Sequence, residues 1–130
     1  MMKSYDTHVE DKEFHKEADK ILEALQDQLD VYLEDNGIEG EVEYSQGVLT
    51  LDLGSRGTYV LNKQAPNHQI WSSSPVRRGG SGHSYGPVRY DFREGRWIYL
   101  RDAHVLVSRL SQELSNLTGV PCDLHAGDES

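Results

Sequence analysis

The chain has 130 residues, with 22 acidic against 13 basic side chains, a net charge of −9 and a mean hydropathy of −0.67. That length gives one domain with a real core, and no apolar run approaches the roughly 20 residues of a membrane span. The acidic balance excludes the basic face by which a nucleic-acid binder announces itself.

The start, Met1-Met2-Lys3-Ser4-Tyr5-Asp6, shows neither a secretory apolar core nor an Arg/Ser-rich presequence, so residues 1–9 read as a disordered remnant. From Glu10 to Asn36 the apolar residues Phe14, Ala18, Ile21, Leu22, Leu25, Leu29, Tyr32 and Leu33 recur at helical spacing. Asn36-Gly37 then supplies a helix stop, with glycine free to take the left-handed conformation. On a wheel centred on Leu25, the side chains of Glu23, Asp27, Asp30 and Glu34 lie within about 40° of the point opposite the core. Asp19 flanks this ridge on one side and Glu13, Glu17 and Asp35 on the other, while Glu41 and Glu43 carry the charge into the next segment. Lys20 is the only base between Asp19 and Glu43.

Such a row is either a solvated face or a surface for cations or a basic partner. A face selected for solubility intersperses lysines, because like charges at i,i+4 repel. An open carboxylate row suits hard, oxygen-loving cations but offers no preformed cage, so binding there should be weak and salt-sensitive. Residues 1–53 hold 15 acids and 4 bases, whereas 54–130 hold 7 and 9, so the negative charge belongs to the first part.

The period then changes to two. Glu41–Tyr44 and Val48–Leu53 alternate around the turn Ser45-Gln46-Gly47, and Thr58–Asn62 and Gln69–Ser73 follow. Alternation puts Gln69, Trp71 and Ser73 on one face and Ile70 on the other. With Ile70 toward the helices, Trp71 becomes an outward tryptophan among amides, a protein-binding anchor, although a strand Trp is commonly core. Residues 74–87 are rich in Gly, Ser and Pro and read as a surface loop. Strands Val88–Phe92 and Trp97–Tyr99 turn near Glu94-Gly95. A second helix is expected from Asp102, as N-cap, to about Leu117, with Val105, Leu106, Leu110, Leu114 and Leu117 as its stripe. Gly119 and Pro121 end it, leaving 121–130 as a tail.

The expected fold is α+β, a two-layer sandwich with both terminal helices on one face of an antiparallel sheet of about six strands. The six histidines (His8, His15, His68, His83, His104, His125) include no HExxH companion. No Ser/His/Asp or Cys/His constellation can be defended from spacing. Arg77-Arg78 with Gly80-Ser81-Gly82 lacks the Gly-Lys-Ser/Thr of a phosphate loop, and the sequon Asn116-Leu117-Thr118 falls inside a helix. The single Cys122 can form no internal disulfide, which points to a reducing compartment.

Gly57-Thr58-Tyr59-Val60-Leu61-Asn62-Lys63-Gln64, then Pro66-Asn67, Gln69-Ile70-Trp71 and Ser73-Ser74-Pro75, closely resembles the signature of the frataxin family. Gly86-Pro87 with Arg89-Tyr90-Asp91, and Phe14–Asp19 with Gly47–Leu51, extend the resemblance to fungal members over about residues 10–118. It implies the frataxin sandwich over residues 10–120, a mitochondrial-matrix protein without its presequence, and a role in iron–sulfur cluster assembly. The family docks on the cysteine desulfurase complex and its scaffold protein and stimulates persulfide sulfur transfer. It acts mainly as an allosteric activator, is chiefly monomeric with iron-dependent oligomers, and needs no organic cofactor. Weak iron binding, Fe2+ or Fe3+, is implied for Glu13, Glu17, Asp19, Glu23, Asp27, Asp30, Glu34, Glu41 and Glu43. Partner contacts are implied for Asn62, Lys63, Gln64, Gln69, Trp71 and Arg89. The alternative is an iron chaperone or ferroxidase that oxidises and donates Fe(II).

The chain departs from the family in three places. His68 replaces a usual lysine, which would make that contact pH-dependent. Lys16 and Lys20 stand where some fungal relatives carry acids. Residues 76–85 form an insertion close to the Trp71 face.

Overall fold

All eight apolar residues read from the helical period, Phe14, Ala18, Ile21, Leu22, Leu25, Leu29, Tyr32 and Leu33, are buried, and they fix how the first helix lies. The computed structural model describes residues 3–76 and 87–126. Its elements are α1 (Lys3–Asp35), β1 (Glu41–Ser45), β2 (Val48–Asp52), β3 (Thr58–Gln64), β4 (Gln69–Ser73), β5 (Val88–Arg93), β6 (Arg96–Tyr99) and α2 (Leu106–Thr118). The strands form one antiparallel meander in chain order, and both helices pack on one of its faces. The two-layer α+β sandwich read from the periods is the observed fold.

The inner face follows from the register. Leu49 lies opposite Leu61, Leu51 opposite Tyr59, Ile70 opposite Tyr90, and Phe92 opposite Trp97. These side chains meet the α1 stripe and Leu106, Leu110 and Leu114 of α2 in one core. Gly37 ends α1 at φ 62°, and the Ile38 N–H reaches back to the Leu33 carbonyl at 3.0 Å, the left-handed stop that Asn36-Gly37 announces.

Two helix starts differ from expectation. Helix α1 begins at Lys3 rather than near Glu10, because no glycine or proline interrupts residues 3–10. The segment read as a disordered remnant is therefore helical from Lys3. Helix α2 begins at Leu106, and Asp102 is not its cap. The Asp102 Oδ1 instead accepts from the His104 backbone N–H at 3.0 Å and meets His104 Nδ1 at 2.7 Å, closing its own turn.

The residues after α2 are not a free tail. Leu124 is buried, and the backbone N–H groups of Cys122 and Leu124 each donate at 2.8 Å, to Ser115 Oγ and Ser111 Oγ of α2. Across on α1, the Gln28 side chain donates to the His125 carbonyl at 2.9 Å and accepts its N–H at 3.0 Å. Residues 120–126 thus strap the two helices together. A lone leucine among polar residues carries no period, so the sequence pattern could not announce this.

Most of the expected 76–85 insertion lies outside the described residues. Its approach is fixed: Ser74 Oγ donates to Glu113 Oε1 at 2.8 Å, and Pro75 packs on Gly57. A Cβ at Gly57 would come within 2.5 Å of Pro75, and its φ of 108° independently favours glycine.

Candidate functional site

The outer face of the sheet is set by the strand period. From β3 it presents Asn62 and Gln64, from β4 Gln69 and Trp71, and from β5 Arg89 and Asp91, with Asn62 paired to Trp71 and Trp71 to Arg89. Trp71 is half-buried, with its ring under Arg89, whose Cζ lies 4.5 Å from the ring centroid. Its indole N–H donates to Gln69 Oε1 at 2.9 Å, and Gln69 Nε2 donates in turn to the Asp91 carboxylate at 3.3 Å. The indole is therefore held in place with its polar atom satisfied and its apolar body facing outward. An anchor fixed before binding loses little side-chain entropy on contact.

The face is graded in charge. Glu41, Glu43 and Asp52 lie at its β1–β2 side, and Arg89, Arg93 and Arg96 surround the single acid Asp91 at its β5–β6 side, with Asn62, Gln64, Gln69 and Trp71 between.

Lys63 is not part of this face. The same alternation that exposes Asn62 and Gln64 turns Lys63 toward the helices, where its Nζ donates to Asp19 Oδ1 at 2.8 Å. The Tyr44 hydroxyl donates to the same oxygen at 2.8 Å. Two residues expected in different sites, a partner contact and a ridge carboxylate, thus form one ion pair. Burial works to raise the Asp19 pKa, but the hydrogen bonds from Lys63 and Tyr44 outweigh it and hold the carboxyl below its ordinary value. Burial and then the Asp19 carboxylate push the Tyr44 hydroxyl far up.

A folded-state pKa below the unfolded one gives stability that is full above the ordinary carboxylate value and lost as pH falls through the folded value. Asp19→Asn should therefore be less stable than the parent at neutral pH, by less than about 1 kcal/mol for so exposed a group. The gap should close below about pH 4, and thermal melts of both proteins across that range check it.

The remaining acids divide. Glu23, Asp27, Asp30 and Glu34 are exposed along one face of α1, as the wheel predicts. Glu17 pairs with Lys20 at 3.5 Å and is largely covered. Glu13 lies apart, lining a cleft of about 380 Å³ with Phe14, Asn67, His68, Asp91, Phe92 and Arg93. Glu41 and Glu43 point away from the helices, on the outer sheet face, so they do not continue the helical ridge on its own surface. Among the described residues, no three His, Cys, Asp or Glu side chains converge to hold a metal ion. The ridge offers oxygen donors from one helix face, a donor set that fits weak binding of a hard cation.

His68 takes a left-handed backbone at φ 53° and turns back on α1, with Nε2 3.1 Å from Asp11 Oδ1 and its ring 5.2 Å from Phe14. The spacing 11…68 carried no signal for this contact. Another constellation missed in the sequence joins Tyr90, His104 and Asp102.

Comparison with known proteins places this geometry. A family model for the frataxin-like domain matches residues 7–120. The chain is 42% identical over 123 residues to "Frataxin, mitochondrial" of Arabidopsis thaliana, covering 92% of this chain and 62% of the relative, so it spans under two thirds of that protein's length. It is 38% identical to the Schizosaccharomyces pombe mitochondrial frataxin homolog, over 92% of this chain and 72% of that one. Among solved structures, trimeric frataxin of Saccharomyces cerevisiae complexed with ferrous iron matches with a TM-score of 0.66 at 38% identity, over 79% of this chain and 86% of that one.

Proposed function

The chain belongs to the frataxin family, and on that premise we propose that it is an iron–sulfur cluster assembly factor of the mitochondrial matrix. It docks on a cysteine desulfurase and its scaffold protein, stimulates persulfide sulfur transfer between them, and carries iron weakly on the α1 ridge. The observation that carries the reading is Trp71, half-exposed on the outer sheet face beside Asn62 and clamped by Arg89 and Gln69. Aromatic and arginine side chains at the centre of a patch are where binding energy concentrates. Asn62, Gln64 and Gln69 around it supply hydrogen bonds for orientation, and Lys63 acts from behind by fixing β3 to α1.

The ridge supports the second part of the reading. Glu23, Asp27, Asp30 and Glu34 lie exposed on one helix face, where their summed field attracts a basic partner surface or a cation. A yeast relative has been solved with ferrous iron, which supports iron as the cargo. Oxidation at a dedicated centre needs ligands converging from several elements, and one helix face supplies none, so the reading is carriage rather than ferroxidase catalysis. The protein acts as a monomer in this role.

The test is a reconstituted desulfurase–scaffold assay with and without Fe(II), comparing the parent, Trp71→Ala and a variant with Glu23, Asp27, Asp30 and Glu34 made neutral. Stimulation should disappear with Trp71 whatever the iron supply. The neutralised variant should bind less Fe(II) and melt a few degrees higher, since relieving i,i+4 repulsion gains a few tenths of a kcal/mol per pair. Undiminished Fe(II) uptake would remove the ridge from the proposal, and a lower melting temperature would show that repulsion does not limit stability.

A further inference from the structure

Tyr90 is 2% exposed, yet its hydroxyl is 2.6 Å from His104 Nε2. The other ring nitrogen, Nδ1, is 2.7 Å from Asp102 Oδ1. Exposure rises along this line, from Tyr90 through a His104 side chain at 14% to Asp102 at 55%. A carboxylate only accepts, so Nδ1 carries the proton that faces Asp102, and a ring protonated there alone leaves Nε2 to accept from the Tyr90 O–H. In that tautomer the hydrogen bonds point one way, from a buried phenol to solvent. The Tyr99 ring, half-exposed, lies 6.4 Å from the Tyr90 ring and 5.4 Å from His104.

A buried tyrosine resists oxidation chiefly because its phenol proton has nowhere to go once an electron leaves. Here a base is already aligned on that proton. We infer that Tyr90, His104 and Asp102 form a proton-coupled one-electron oxidation site, with Tyr99 as its electron port to the surface. In the step, Tyr90 gives one electron to a one-electron oxidant of the hydroxyl-radical or oxidised metal-complex class. The Tyr90 O–H bond breaks and an N–H bond forms at His104 Nε2. The products are a neutral tyrosyl radical, an imidazolium held by the Asp102 carboxylate, and the oxidant reduced by one electron.

Among the described residues, Tyr32, Tyr44 and Tyr59 are placed differently. The Tyr44 and Tyr59 hydroxyls donate to the carboxylates of Asp19 and Glu113, and the Tyr32 hydroxyl to the Val120 carbonyl, with Thr118 Oγ1 also within hydrogen-bond distance. A carboxylate is a weaker base than imidazole, so proton transfer to it gives less driving force. The site takes up stray oxidising equivalents. Its test uses no iron and is decided separately from the docking and cargo reading.

The experiment is flash oxidation with photogenerated tris(bipyridine)ruthenium(III), using persulfate as terminal acceptor, followed by electron paramagnetic resonance of the trapped radical. The parent should give a tyrosyl signal formed with a solvent deuterium isotope effect. Tyr90→Phe should lose most of it, while His104→Gln should form it roughly tenfold more slowly and without the isotope effect. Asp102→Asn changes an exposed group, should keep the parent melting temperature, and should also slow the step. An unchanged radical yield in Tyr90→Phe, or parent kinetics in both His104→Gln and Asp102→Asn, overturns the assignment.

Discussion

Trp71→Ala should weaken binding to the desulfurase–scaffold complex by about 30- to 1000-fold, the range of a central aromatic anchor worth roughly 2–4 kcal/mol. The reason lies in how the ring is held. Gln69 satisfies its N–H and Arg89 covers it, so the free protein presents it already ordered. Removing it takes away apolar contact area and leaves Arg89 without the ring it covers. Arg89→Ala should cost less, and the double variant should cost less than the sum of the two, by about 0.5–1 kcal/mol of shared interaction. Trp71 is half-exposed on the face opposite the core, so the melting temperature should move by only about a degree or two. Affinity by titration calorimetry and melting by circular dichroism check both statements. A large loss of stability in Trp71→Ala would mean that the ring is a structural element of the sheet.

The largest stability effect belongs to the strap. Ending the chain after Pro121 removes Leu124 from the core and deletes the backbone groups that Ser111, Ser115 and Gln28 hold. A buried leucine lost as a whole, with several hydrogen bonds, amounts to about 3–5 kcal/mol. For a domain of this size the melting temperature should fall by roughly 10–20 °C. Leu124→Ala alone should cost about 2–3 kcal/mol. Denaturant unfolding of both variants measures the difference, and a truncated chain as stable as the parent would show that residues 122–126 only lie against the helices.

How much of this could be read in the sequence depends on whether an element carried its own period. The α1 stripe from Phe14 to Leu33 and the alternation through β2, β3 and β4 did, because one face of each is buried and the pattern must repeat. The outward position of Trp71 followed from the same alternation once Ile70 was assigned inward. Lys63 shows the limit of carrying a family's contacts over by position: its neighbours Asn62 and Gln64 face out, and period two turns Lys63 to Asp19.

Asp102 illustrates a different failure. Its identity and place before an apolar stripe satisfy the rule for a helix cap, but His104 two residues on competes for the same carboxylate and wins with two contacts. The strap and the Tyr90–His104–Asp102 line depend on single residues meeting across the fold. Neither has a spacing that repeats, and Leu124 and His104 were legible only as a lone leucine and a lone histidine. The acidic ridge was legible as a pattern. Its division was not, since Glu13 lies at a separate cleft and Glu41 and Glu43 face the other side of the sheet.

The central claim is that the sheet face around Trp71 activates the desulfurase by docking, with iron as a secondary cargo. Desulfurase turnover in iron-free buffer tests it most directly. The parent protein should accelerate turnover without added iron, and Trp71→Ala, folded and at equal concentration, should not. Full acceleration by Trp71→Ala, or acceleration by the parent only when Fe(II) is supplied, would contradict it.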